Sequence, residues 1–161
     1  MIQIFITGGT FDKSYDSING QLYFEKTHLP EMLKRSRCSL DIDIQTLMMK
    51  DSLEMGEQDV EMVVRACRNS PAKQIVITHG TDTMTRTAAT LANAKIGKTI
   101  VLTGAMIPYA FGSSSDGFFN LGCALAFVQT QTQGVYVTMQ GQCFHWNQVE
   151  KDKDKGIFYK L

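Results

Sequence analysis

Three short stretches place a side-chain hydroxyl just after a run of strand-forming residues: Thr10, Ser52 and Thr81, the last followed directly by Asp82. Hydroxyls of this kind attack a carbonyl only when a neighbouring base takes their proton, and a lysine serves that role in several hydrolases. Read alone, each has a plainer explanation. Thr7-Gly8-Gly9-Thr10 is a tight turn, and Thr81-Asp82 caps the free N–H groups of a helix start. A serine–histidine–aspartate set is compatible with the composition, but the chain has no G-x-S-x-G elbow to hold the serine. His28, His79 and His145 lack metal-ligand spacing, so no metal or cofactor is expected, and His79 reads as a hydrogen-bonded turn residue. The glycines match neither a dinucleotide fingerprint nor a P-loop.

The elements that must position these residues follow from periodicity. Ile2 to Ile6, residues 41–45, 75–77, 99–103 and 134–139 read as strands, 41–45 by clean alternation and 75–77 and 99–103 as buried runs. Helices are expected over about 28–37, 57–69, 82–94 and 118–128, with Gly97 stopping the third. Residues 11–26 are polar and carry Asn19-Gly20, a hairpin signal, so they predict a lid beside the first turn. Residues 48–56 read as irregular. A hairpin arm is expected over 142–146, and residues 157–161 read as a closing strand after the charged run 150–155. Strands alternating with helices predict an α/β fold, a three-layer sandwich around a mostly parallel sheet. In such sheets ligands bind beyond the carboxyl ends of the strands, where the three hydroxyls fall.

Composition sets further bounds. The 161 residues suit a single domain, and 43% hydrophobic with 20% charged residues is ordinary for a water-soluble chain. Sixteen basic and sixteen acidic side chains give a formal net charge of zero, which argues against nucleic acid or an anionic membrane as partner. No apolar run reaches membrane-spanning length, and no basic segment precedes an apolar one at the start, so neither a span nor a signal peptide is expected. Cys38, Cys67, Cys123 and Cys143 are widely spaced and read as reduced thiols of a cytoplasmic protein. Phe118 to Val128 is apolar nearly all round, more than one sheet face covers, which predicts a homo-oligomer.

Taken together, Ile6-Thr7-Gly8-Gly9-Thr10 and Thr78-His79-Gly80-Thr81-Asp82-Thr83-Met84 resemble the two signature motifs of the bacterial-type L-asparaginase/glutaminase family. Asp51-Ser52, Leu102 to Pro108, Ser115-Asp116-Gly117, Phe119-Asn120-Leu121 and the Gly134 to Lys151 segment extend the resemblance over essentially the whole chain. It implies a Rossmann-like N-terminal asparaginase domain and hydrolysis of L-asparagine, with some hydrolysis of L-glutamine. Thr10 is similar to the nucleophile, and Tyr15, with Tyr23 as alternative, to the lid tyrosine that helps activate it. Thr81, Asp82 and Lys151 resemble the second catalytic set, with Lys153 as alternative to Lys151. Asp51 and Ser52 resemble the substrate α-carboxylate site, and Ala105 and Gly9 lie where backbone meets the substrate. Two departures stand out: Leu53 occupies a position where a polar contact is expected, and the family's smaller C-terminal domain has no counterpart in these residues. A non-catalytic amino-acid-binding module and the ammonia-donating subunit of a tRNA amidotransferase are the alternatives.

Overall fold

Successive residues of the central strands enter two different cores, so the sheet is buried on both faces. A computed structural model describes residues 1–161. The six-stranded sheet contains β1 (Ile2–Gly8), β4 (Ile42–Lys50), β5 (Gln74–Thr78), β6 (Thr99–Thr103), β7 (Gly134–Met139) and β8 (Gln142–His145). Its order is β4-β1-β5-β6-β7-β8, parallel throughout except for β8. On one face Phe5, Ile75, Ile77, Ile100 and Leu102 meet Val60, Val63 and Val64 of α2 (Glu57–Asn69) and Met84, Ala88 and Leu91 of α3 (Met84–Asn93). On the other, Ile2, Ile4, Ile6, Val76 and Val101 meet Leu29 and Met32 of α1 (Leu29–Arg35) and Leu121, Ala124, Leu125 and Val128 of α4 (Gly117–Thr130). Period-two alternation on a doubly covered sheet gives this division directly. The fold is the expected α/β sandwich.

Strand order explains where a ligand crevice is expected. From β1 the chain reaches β4 on one side, then crosses back through α2 to β5 on the other. The switch lies between β1 and β5, and their carboxyl ends carry Gly9-Thr10 and Gly80-Thr81.

Several elements differ from expectation in extent. Strand β4 runs on to Lys50, because Gly9 donates to the Lys50 carbonyl at 2.8 Å and the register shifts between Ile6 and Gly8. Consecutive Leu47, Met48 and Met49 hide the strand in the sequence, since they serve both cores. Helix α3 starts at Met84, two residues late, because Thr83 is tied to the Ser52 loop.

The charged run is an ordered hairpin of β9 (Val149–Asp152) and β10 (Ile157–Lys160). Phe158 plugs into the core, and its N–H donates to Gln140 Oε1 at 2.8 Å. Directly opposed residues share a face of a ribbon, so burying Phe158 aims its partner Lys151 inward as well.

The lid hairpin is present as β2 (Lys13–Asp16) and β3 (Gln21–Phe24), its turn held by Asp16 accepting from the Ile18 N–H at 2.9 Å. Helix α4 is covered by the domain on one side only. Phe119 remains 60% exposed, with Phe118, Gly122 and Ala126 beside it at the surface. No helix is long and apolar enough to cross a membrane.

Candidate active site

Glycines at the strand ends bring the loops into backbone contact. A Cβ on Gly9 would lie 2.5 Å from Gly80 N and Cα, and one on Gly80 would lie 2.6 Å from Ser52 Cβ. One on Gly104 would strike the His79 carbonyl and come within 3.4 Å of Thr81 Cγ2. Gly9 also has φ 76°, a conformation that L side chains rarely adopt. The crevice floor is therefore packed backbone on backbone, with Thr10, Ser52 and Thr81 each on or beside a glycine contact.

His79 supports this floor from beneath. It is fully buried, with Nδ1 2.7 Å from the Gly80 carbonyl and Nε2 3.0 Å from Thr87 Oγ1. A proton on Nδ1 lets both contacts form, the Thr87 hydroxyl donating to Nε2. Burial pushes its pKa down to about 4, against a smaller upward pull from the Gly80 carbonyl. A neutral ring committed at both nitrogens acts as a strut, as its place in the turn suggested.

Above the floor, Lys151 Nζ donates to Thr81 Oγ1 at 2.8 Å and to Asp82 Oδ1 at 2.7 Å. Its side chain is 9% exposed, whereas Asp82 is open to solvent. Lys153 sits exposed in the β9–β10 turn, away from this cluster. Thr81 Oγ1 accepts from the lysine, which leaves its own proton free to point into the crevice.

Ser52, also buried, accepts from the Thr83 N–H at 3.3 Å, while its carbonyl accepts from Thr83 Oγ1 at 3.1 Å. Asp51 does not face these groups alone: Lys13 Nζ of the lid pairs with its Oδ1 at 2.6 Å. Leu53 turns outward.

On the far wall, Asp116 accepts from the N–H groups of Met106 and Ile107 at 2.9–3.0 Å. Buried Asn120 donates to the Gly104 carbonyl at 2.9 Å and accepts from the Gln140 N–H at 3.1 Å. Together they fix the Gly104–Met106 turn and leave the buried Ala105 unbonded to other backbone groups.

Thr10 is half-buried at the root of the lid. Tyr15 is not brought to it. Its ring packs edge-on to Phe111 with centroids 6.1 Å apart, and its hydroxyl points towards Gly20 at the hairpin tip. Tyr15 faces the same side as its partner Leu22, while Tyr23 lies on the opposite side with Ser14. Tyr15 is 53% exposed.

Sequence reasoning assigned no role to Lys13, Asp116, Asn120 or Asp12. Asp12 is fully buried and accepts at Oδ1 from Thr27 Oγ1 and the His28 N–H, both at 3.0 Å. Burial raises its pKa, opposed by those hydrogen bonds. It ties the lid's return strand to its root. Only Asp116, an acid just ahead of a helix-initiating glycine, offered a local signal.

A parallel sheet whose switch point gathers paired hydroxyls, a largely covered lysine and an acid belongs to the class of α/β proteins that carry their polar groups at the carboxyl ends of the strands. The family model for the N-terminal part of asparaginase matches residues 1–157, and the chain belongs to this asparaginase family. L-asparaginase 1 of Escherichia coli (strain K12) is 32% identical over 133 residues, covering 77% of this chain and 39% of that protein. A glutamyl-tRNA(Gln) amidotransferase subunit from Methanococcus vannielii is 32% identical over 152 residues, covering 88% of this chain and 34% of its own. The solved thermostable L-asparaginase from Thermococcus kodakarensis superposes with a TM-score of 0.84 at 27% identity, covering 99% of this chain and 51% of that one. The chain thus spans between a third and a half of the length of these relatives.

Proposed function

We infer that the protein is an amidohydrolase converting L-asparagine to L-aspartate and ammonia through a covalent intermediate on Thr10, with some action on L-glutamine. The observation that carries this reading is the bridge from Lys151 Nζ to both Thr81 Oγ1 and Asp82 Oδ1. It joins a hydroxyl, a cation and an acid at the switch-point crevice beside the Thr10 loop, and the family membership points to the same chemistry.

In this reading Thr10 Oγ1 attacks the side-chain amide carbon, and its proton passes to the Thr81–Lys151 pair, which releases one of its own from Nζ to the Asp82 carboxylate. The departing nitrogen takes that proton and leaves as ammonia. Water, activated by the same pair, then cleaves the ester to release aspartate. Backbone at Gly9 and Ala105 meets the reacting amide. Asp82, with one oxygen clear of Lys151, takes the substrate ammonium, and Ser52 beside Asp51 takes the α-carboxylate. Tyr15 comes to Thr10 only when the lid moves from the position seen here. No cofactor takes part in these steps.

We place the protein in the cytoplasm, with residues 1–161 forming one asparaginase N-terminal-like domain. We infer a homo-oligomer, dimer or tetramer, formed through the exposed Phe118–Phe119 side of α4. The test is ammonia release from L-asparagine by the purified protein beside Thr10→Ala. A fall of at least about 100-fold is expected for loss of a covalent nucleophile; equal release by the two proteins would remove Thr10 from the mechanism.

The relatives named as amidotransferase subunits, which match over most of this chain, favour a second reading as an ammonia-donating component of a larger enzyme. Co-purification with another polypeptide or with tRNA would select it.

A further inference from the structure

The crevice holds an electrostatic conflict that one lid residue resolves. The α-carboxylate of an amino acid directed to Ser52 would meet the Asp51 carboxylate next to it, and like charges at that separation repel. Lys13, on the first strand of the lid, reaches over and pairs with Asp51 Oδ1 at 2.6 Å. Its side chain is only 17% exposed, and its Nζ lies 5.6 Å from the centre of the Phe24 ring. A lysine ammonium carries three N–H donors. Nζ meets Asp51 as an ion pair and makes no well-aligned hydrogen bond to any protein group, so its donors are open to a ligand. Elsewhere the covered lysines are more fully engaged: Lys151 meets two oxygens at the site, and Lys98 Nζ is ringed by the carbonyls of Cys67, Arg68 and Ser70. Ser52 Oγ accepts from the Thr83 N–H, so its own proton is also uncommitted.

We propose that Lys13 is a specificity-determining residue, whose Nζ, held by Asp51, joins the Ser52 hydroxyl in binding the α-carboxylate of the substrate. Asp51 then acts on the lysine and not on the ligand: it fixes the direction of Nζ. The pair is neutral overall, so a bound carboxylate sees two donors in place of an uncompensated acid. Because Lys13 belongs to the lid and Asp51 to the loop after β4, the pair that meets the carboxylate also ties the lid root to the floor. The substrate class is thereby narrowed to amides that carry a free α-carboxylate.

This inference rests on the amidohydrolase reading for the identity of the ligand, and its test separates the two. L-Asparagine and 3-aminopropanamide, the same molecule without the α-carboxylate, are titrated calorimetrically into Thr10→Ala, so that the ligands persist. The titrations are repeated with Lys13→Met and with Lys13→Arg added to that background. Loss of Lys13 is expected to weaken L-asparagine by about 10-fold or more and 3-aminopropanamide by less than about twofold, with Lys13→Arg restoring most of the affinity. Equal weakening of both ligands would make Lys13 a structural prop of the lid, and L-asparagine binding that ignores Lys13, or is absent, would likewise overturn the proposal. Ammonia release is measured in parallel on proteins retaining Thr10. Wild type that releases none, while Lys13 still discriminates the ligands, sinks the hydrolase reading and leaves this inference standing. Wild type that releases ammonia with a KM unchanged by Lys13→Met does the reverse.

Discussion

The crevice floor and the lid differ in how they are held. On the floor, Gly9, Gly80 and Gly104 put backbone against backbone, and buried His79 and Asn120 brace it through hydrogen bonds. In the lid, beyond the buried Asp12 at its root, Tyr15, Leu22 and Tyr23 are all exposed, and the tertiary tethers are the Lys13–Asp51 pair, the Tyr15–Phe111 contact and a 3.4 Å contact from Ser14 Oγ to His28 Nε2. Strand-end glycines confer a geometry with little room to relax, whereas a two-stranded ribbon has marginal stability by itself. The difference matches the division of labour that the proposed mechanism requires: a floor that keeps Thr81, Asp82 and Lys151 in register, and a more loosely held flap that bears Tyr15 and Lys13.

This contrast breaks most sharply at the floor. Gly9→Ala adds a methyl where Gly80 leaves no space, at a φ that alanine disfavours, and is expected to cost more than about 4 kcal/mol by denaturant unfolding. Phe158→Ala removes the side chain that aims Lys151. It should cost about 3–4 kcal/mol and lower activity further than the stability loss explains, read from kcat at a temperature where the variant stays folded.

The next effect comes from His79. Its native pKa is pushed down to about 4, so the unfolded chain binds a proton that the native state refuses as pH falls from about 6.5 towards 4. The neutral ring's contribution is full above pH 6.5 and is lost across that window, up to about 3 kcal/mol. Thermal unfolding from pH 8 to pH 4 checks this, and His79→Gln should flatten the slope. Asp12 works in the opposite sense. Its raised pKa makes its contribution largest at low pH and smaller as pH rises through the native value, which tempers the acid-side loss. The smallest effect is at the lid tip, where Ile18→Ser touches a fully open side chain and should leave stability within about 0.5 kcal/mol. A large loss there would mean that the lid is docked as firmly as the floor.

The same contrast governs what the sequence made legible. Strands and helices with clean periodicity, such as 75–77 and 57–69, were readable because burial on both sheet faces or on one helix face leaves a repeating pattern. Strand β4 was cut short at its apolar end because consecutive Leu47, Met48 and Met49 serve two cores and break the alternation. Lys151 in an alternating Lys/Asp run looks like a solvated tail. Its inward direction depends on Phe158, seven residues later, and on a pairing register that no local pattern states. The gathering of Thr10, Ser52 and Thr81 follows from topology. The Lys13–Asp51 pair spans 38 positions through a lid and a strand and leaves no trace in composition. Resemblance to a family supplied candidate roles for the named residues; contact geometry adds the struts and tethers.

The most direct test of the account is the rate of ammonia release from L-asparagine by Lys151→Met, compared with wild type at equal protein stability. Lys151 is the group that joins Thr81 to Asp82, so kcat should fall at least about 100-fold while far-UV dichroism and unfolding stay close to wild type. Release at the wild-type rate would show that the bridge is structural and that the chemistry lies elsewhere.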